Sequence, residues 1–139
     1  MSVAPRPDAA GLPTRPGEEP WTAAELEQVR TELETEAEGL RADIARATHD
    51  IAEGRNGLVR DAGDDEADAG TKAFEREQEL ALAKNAQDLL EQGERALARI
   101  DAGTYGVCES CGQPIGKARL QAFPRAALCV ACKQRQERR

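Results

Sequence analysis

Aromatic side chains are scarce in this 139-residue chain: Trp21, Phe74, Tyr105 and Phe123 make up 3% of it. Aromatics carry much of the apolar area that a core buries, so a thick globular core is excluded. Histidine is scarcer still, with His49 alone. It has no second ligand four residues away and reads as an ordinary surface residue. No nucleophile and base stand at a meaningful spacing, so the chain is not expected to be an enzyme. No apolar run approaches the roughly 20 residues that cross a bilayer, and the first twenty residues hold no signal-peptide apolar region. These absences point to a cytoplasmic protein, in a compartment where thiols stay reduced.

Charge is plentiful. Asp, Glu, Lys and Arg are 32% of the residues, and the middle of the chain is dominated by Ala, Glu, Leu and Arg. That is the composition of a coiled coil, and it implies an elongated molecule. The formal net charge of −7 argues against nucleic-acid binding through the whole surface. The distribution is uneven, however. Thr104 to Arg139 carries seven bases against two acids, so the final segment is +5 and the remainder −12.

Five of the seven prolines fall within residues 1–20, without apolar periodicity, and this segment reads as a disordered tail. Structure is expected to begin at Trp21. Thr22 and Glu25 form a capping box, and Trp21 with Leu26 form the hydrophobic staple that accompanies one. Leu26, Val29, Leu33, Ala37, Leu40, Ile44, Ala47 and Ile51 then recur at three- and four-residue steps, a narrow seam suited to one helical partner. Gly54 and Gly57 should fray its far end before Asp61. A second helix is expected from about Thr71 or Lys72 to Asp101, with Phe74, Leu82, Ala86, Leu89, Leu90, Leu97 and Ile100 apolar and Gly103 as its stop. Residues 21–103 would thus form an antiparallel hairpin. Its tip, near 61–71, lies in the stretch RDAGDDEADAGTKAFE (60–75), where six of sixteen residues are acidic.

Residues 104–139 carry the clearest chemistry. Cys108 and Cys111 are separated by two residues, as are Cys129 and Cys132, with seventeen residues between the pairs. The short gap lets both sulfurs of a pair turn toward one ion, and Gly112 suits the turn between them. Four thiolates saturate a tetrahedral zinc and leave no position for water or substrate, so one structural Zn2+ is expected. It would supply folding free energy that so small a segment lacks. Two disulfides, or iron–sulfur ligation, are the other chemistries these thiols permit. The terminal KQRQERR reads as a short basic helix, either a solvated end or a contact for an acidic partner.

A zinc module of this spacing behind a helical hairpin resembles the DksA/TraR family of bacterial transcription regulators. TYGVCESCGQPIG, then Arg119, Leu120, Ala122, Pro124 and ALCVAC, match its finger signature without gaps, and the resemblance extends more loosely over residues 22–139. It implies a mainly α fold: a long antiparallel helical hairpin, a small C-terminal four-cysteine zinc finger and a short C-terminal helix. It also implies a monomer that binds RNA polymerase directly, without recognising a DNA sequence, and inserts the hairpin tip into the secondary channel to modulate initiation. Counting back from Cys108, the family's tip pattern Asp-x-x-Asp-x-Ala falls on Asp65, Asp68 and Gly70, with glycine replacing alanine. Two basic positions used by the family for the guanosine tetraphosphate alarmone fall on Asn85 and Gln92, while Leu89 and Lys133 are retained. Phosphate oxygens favour Arg and Lys, so alarmone dependence is expected to be weak or absent. The residues also admit a nucleic-acid-associated zinc protein that uses the basic finger, although that finger lacks interleaved aromatics and base-reading side chains. A plain coiled coil is the third reading, disfavoured by the glycines and acids between the helices.

Overall fold

The first long helix opens where its capping signal stands. The computed structural model describes residues 9–60 and 66–138, and their side chains except at 51 and 53–69. The Glu25 N–H donates to Thr22 Oγ1 at 3.1 Å and the Thr22 N–H donates to Glu25 Oε1 at 3.0 Å, a reciprocal capping box. Trp21 and Leu26 on either side of it are both buried in one apolar cluster. Helix α1 spans Ala23–Arg60, α2 Glu66–Ala102, α3 Lys117–Ala122 and α4 Val130–Glu137. The described residues form no strand, and Val107 and Pro114 make an isolated antiparallel bridge. The fold is mainly α: an antiparallel pair of long helices, a small four-cysteine module and a short C-terminal helix.

Both helices extend further than the sequence pattern suggests. Helix α1 continues through Gly54 and Gly57 to Arg60. Each glycine costs about 1 kcal/mol against alanine, which weakens the ladder of hydrogen bonds without cutting it. Helix α2 begins at Glu66 instead of Thr71. Glu66 and Asp68 fall in its first turn, where negative charge favours the positive end of the helix dipole. Asp65 and the rest of 61–65 lie outside the described residues.

One compact unit joins the chain up to Glu36 to the chain from Gln92, and the other is Ala37–Glu91. In the first, Leu26, Val29 and Leu33 of α1 and Ala96 and Ile100 of α2 share a core with Tyr105, Ile115, Leu120 and three cysteines. Trp21 meets Tyr105 edge to face, with ring centroids 6.1 Å apart. Arg30 pairs with Asp101 at 2.7 Å, tying α1 to the last turn of α2.

In the second unit Ala37 is buried, and Leu40, Ile44 and Ala47 of α1 are half-buried, as are Ala83, Ala86, Leu89 and Leu90 of α2. Phe74 and Leu82 depart from expectation, being 61% and 68% exposed. Stepping back from Ile100 by threes and fours gives Leu97, Gly93, Leu90, Ala86 and Ala83, all buried or half-buried. That row excludes 82 and 74. The seam of α2 therefore mixes the small residues Ala83, Ala86 and Gly93 with larger ones, and Phe74, Leu80 and Leu82 are exposed.

The described part of the proline-rich segment also differs from a disordered tail. Ala9–Gly11 form a 3-10 turn, and Ala9 and Leu12 belong to the same core cluster as Trp21 and Tyr105. Residues 13–20 continue as a strap that turns at Arg15–Glu18, where the Glu18 N–H donates to Arg15 O at 3.1 Å. Prolines lower the entropy lost on ordering such a segment, and its two small apolar contacts have no period that a sequence pattern would reveal.

Leu82→Ala should leave stability within about 0.5 kcal/mol of the parent, as expected for an exposed site. Ile100→Ala should cost about 2–5 kcal/mol through cavity formation. Urea denaturation of the two variants checks the assignment of the seam.

Candidate functional site

Helix α2 ends in a tight double closure. The Gly103 N–H donates to Ile100 O at 3.2 Å and the Thr104 N–H to Arg99 O at 2.9 Å, with Gly103 at φ 77°. These are the two bonds of a Schellman motif. They place Tyr105 inside the core, where its hydroxyl donates to Pro124 O at 2.9 Å. Burial first, and then the Glu32 carboxylate, push the Tyr105 phenol well above its ordinary range, so it remains a donor.

The next residues form two arms and a loop. The Ile115 N–H donates to Gly106 O and the Cys108 N–H to Gln113 O, both at 2.8 Å, and the Gly112 N–H closes the loop on Cys108 O at 3.0 Å. Cys108 and Cys111 stand on this loop. Cys129 caps α4 and Cys132 lies in its first turn. All four Sγ atoms lie within 4.8 Å of one another, and Cys111 and Cys129 are 3.8 Å apart. Four sulfurs each about 2.3 Å from a tetrahedral zinc stand about 3.8 Å from one another, so the cluster has the size the ion requires.

The surroundings favour thiolates. Burial pushes the Cys108 thiol up, but the amides of Cys129, Cys111 and Ser110 outweigh it and hold the thiol down at about 6. The Cys129 N–H approaches Cys108 Sγ at 3.4 Å, and the Arg135 guanidinium approaches Cys132 Sγ at 3.3 Å. Cys111 behaves oppositely. The Gln113 amide lowers it, but burial and the three neighbouring sulfurs raise it to about 11. Crowded sulfurs resist becoming anions together unless a cation joins them. Cys108, Cys111, Cys129 and Cys132 fit one structural zinc, which would fix the loop to α4; four protein ligands leave no open coordination position.

The remaining residues of interest are dispersed. Lys133 is exposed on α4 and lines a cavity of about 600 Å3 with Gln92, Arg119, Phe123 and Arg125. Asn85 and Leu89 line a separate groove in the Ala37–Glu91 unit. Gly70 lies within α2, with nothing within 4 Å of where a Cβ would stand. The backbone of Asp68 is helical, and its side chain is outside the description. Sequence reasoning missed Arg135 as a neighbour of the cysteines. The only available signal was its place three residues after Cys132, one helical turn on.

These features define a four-cysteine zinc-finger protein whose metal module closes onto the base of a helical pair. Residues 103–138 match the family described as the prokaryotic dksA/traR C4-type zinc finger. Over 120 residues the chain is 34% identical to the RNA polymerase-binding transcription factor DksA of Escherichia coli strain K12, covering 86% of this chain and 76% of that protein. It is 40% identical over 75 residues to the protein of the same name from Caulobacter vibrioides, a match spanning 54% of this chain and about half, 53%, of that relative. The solved structure of transcription factor DksA2 from Pseudomonas aeruginosa superposes with a TM-score of 0.66 at 31% identity, covering 84% of this chain and 85% of that one. The chain belongs to the DksA/TraR family.

Cys111 is the exposed member of the four, so Cys111→Ser removes a ligand with little loss of packing. Bound zinc should fall from one per chain toward none, as measured by native mass spectrometry with atomic absorption. Retention of a full equivalent of zinc would contradict the four-thiolate assignment.

Proposed function

We propose that this chain is a non-enzymatic transcription regulator that binds RNA polymerase directly and acts through the α1–α2 end of its helical pair. The observation that carries the reading is the reach of the E. coli match. At 86% of the chain it includes the long helices as well as the cysteine module, and that relative is named for polymerase binding. Asp65 and Asp68 would enter the secondary channel and approach the catalytic magnesium. Carboxylates there can perturb the ion's surroundings or meet basic elements of the enzyme without binding metal themselves.

Gly70 is the departure to be weighed. Alanine at this helical position meets open space and gains about 1 kcal/mol of helix propensity. Glycine therefore lowers the rigidity of the segment carrying Asp68 without any steric need for it. The alarmone response is read as weak. Gln92 and Asn85 offer amides in place of the charged donors that phosphate prefers, even though Lys133 and two arginines stand in the cavity beside Gln92.

Co-purification with core RNA polymerase tests the reading. Asp68→Asn should bind as well as the parent and lose most of the effect on initiation in single-round transcription, with added alarmone changing little in either protein. Absence of binding by the parent chain would refute the proposal, and a salt-sensitive mobility shift with DNA alone would favour a nucleic-acid role for the basic finger. Gly70→Ala should raise helix stability by about 0.5–1 kcal/mol and strengthen the transcriptional effect at equal occupancy.

A further inference from the structure

The strap is bound to the arms of the metal loop itself. Gly106, on the arm leading to Cys108, adopts φ 96°, and a Cβ there would stand 3.6 Å from Pro13 Cγ. Gly116, on the returning arm, adopts φ 112°, and a Cβ there would stand 3.1 Å from Arg15 Cδ. Such φ values are rare for residues with a Cβ; at Gly116 the missing side chain leaves room for Arg15, and at Gly106 the strap lies at ordinary contact distance beside Leu120.

Just beyond Gly116, Glu18 closes the contact. Its Oε1 accepts the Lys117 N–H at 2.9 Å and the Arg15 N–H at 2.8 Å, and its Oε2 accepts the Ala118 N–H at 2.9 Å. Those amides, led by Ala118, lower the Glu18 carboxyl below its usual range. Lys117 reaches back across the same seam to Glu25 at 2.7 Å and to Pro20 O at 3.3 Å. Residues 13–25 thus grip the segment from Gly106 to Ala118 on both sides of Cys108 and Cys111. Ala9, Leu12 and Trp21 share their core with Cys108, Cys129 and Cys132.

We propose that residues 9–21 are a lock on the zinc module: docked across Gly106 and Gly116 and fastened by Glu18, they hold the Cys108–Cys111 arms closed and so set the rate at which metal leaves. A four-thiolate site releases its ion only after a ligand pair swings away, and this pair cannot swing without splaying its arms. Splaying them breaks the Glu18 bonds and uncovers the strap's apolar side. Conversely, loss of the metal frees the arms and undocks the strap. Glu18 acts here as a positioning residue, bonded to the Lys117 and Ala118 amides and to none of the cysteines. This inference concerns metal retention and does not rest on polymerase binding.

The test uses the full zinc-loaded chain and the transfer of its metal to a chromogenic chelator in excess. Glu18→Ala should speed zinc release at least about fivefold, about what losing one ordinary hydrogen bond permits, and Glu18→Gln should fall between it and the parent. Arg30→Ala, which removes the Asp101 pair and leaves the strap untouched, should release at the parental rate. Trp21, the chain's one tryptophan and 1% exposed, reports on the strap directly. Its emission should shift to the red on the same time course as metal loss. If Glu18→Ala retains no zinc on purification, Glu18→Gln decides alone, with faster release in favour. Parental rates in the measurable Glu18 variants, or a Trp21 that stays buried after complete chelation, would overturn the proposal.

Discussion

Four sulfurs within 4.8 Å of one another cannot all carry charge unless a cation stands among them, and the unit that holds them is arranged around that constraint. The loop of Cys108 and Cys111 and the helix of Cys129 and Cys132 have few other reasons to meet. Three of the four cysteines sit in one cluster with Trp21, Leu33 and Ile100, so ligation and core packing form a single equilibrium. A chain with so few aromatics obtains from a metal much of the order that larger domains obtain from buried area.

The opposed charges of helices and finger find a use inside this unit. Arg99 pairs with Glu109, Lys117 with Glu25, and Arg125 with Glu36. In each case a residue of the acidic helical region meets one of the module, although Arg99 and Glu109 reverse the general polarity. Exposed pairs contribute only about 0–1 kcal/mol apiece. Their value lies in register: they select one way of seating the finger on the helix bases among several that would bury similar apolar area.

The sequence was most legible where function demands a fixed spacing. The cysteine pairs, the Thr22–Glu25 box and the Gly103 stop are short local signals, and each corresponds to geometry found within a few residues. Legibility failed where partners are distant. Glu18 meets amides about a hundred positions away, and nothing in the proline-rich composition marks it. Phe74 and Leu82 are apolar but out of register; the small residues Ala83, Ala86 and Gly93 complete the period of Leu90, Leu97 and Ile100. Helix α2 starts at Glu66, ahead of Thr71, because a run of acids has the composition of a loop and yet suits the first turn of a helix. Asp65 and Asp68 were singled out by family resemblance alone, and no physical pattern distinguishes them from the acids around them.

The slender seam of the Ala37–Glu91 unit has a mechanical consequence. Where alanines alternate with the half-buried Leu40, Ile44, Leu89 and Leu90, two helices hold together by many weak dispersion contacts of about 0.1–0.2 kcal/mol per atom pair, with no fully buried large side chain among the described residues to key them in place. Such a pair resists stretching, because its hydrogen bonds run along each helix. It yields more readily to sliding and bending, since its described large side chains are at most half-buried. Compliance is thus a property of the Ala37–Glu91 unit by itself, set by how shallowly its large side chains are buried.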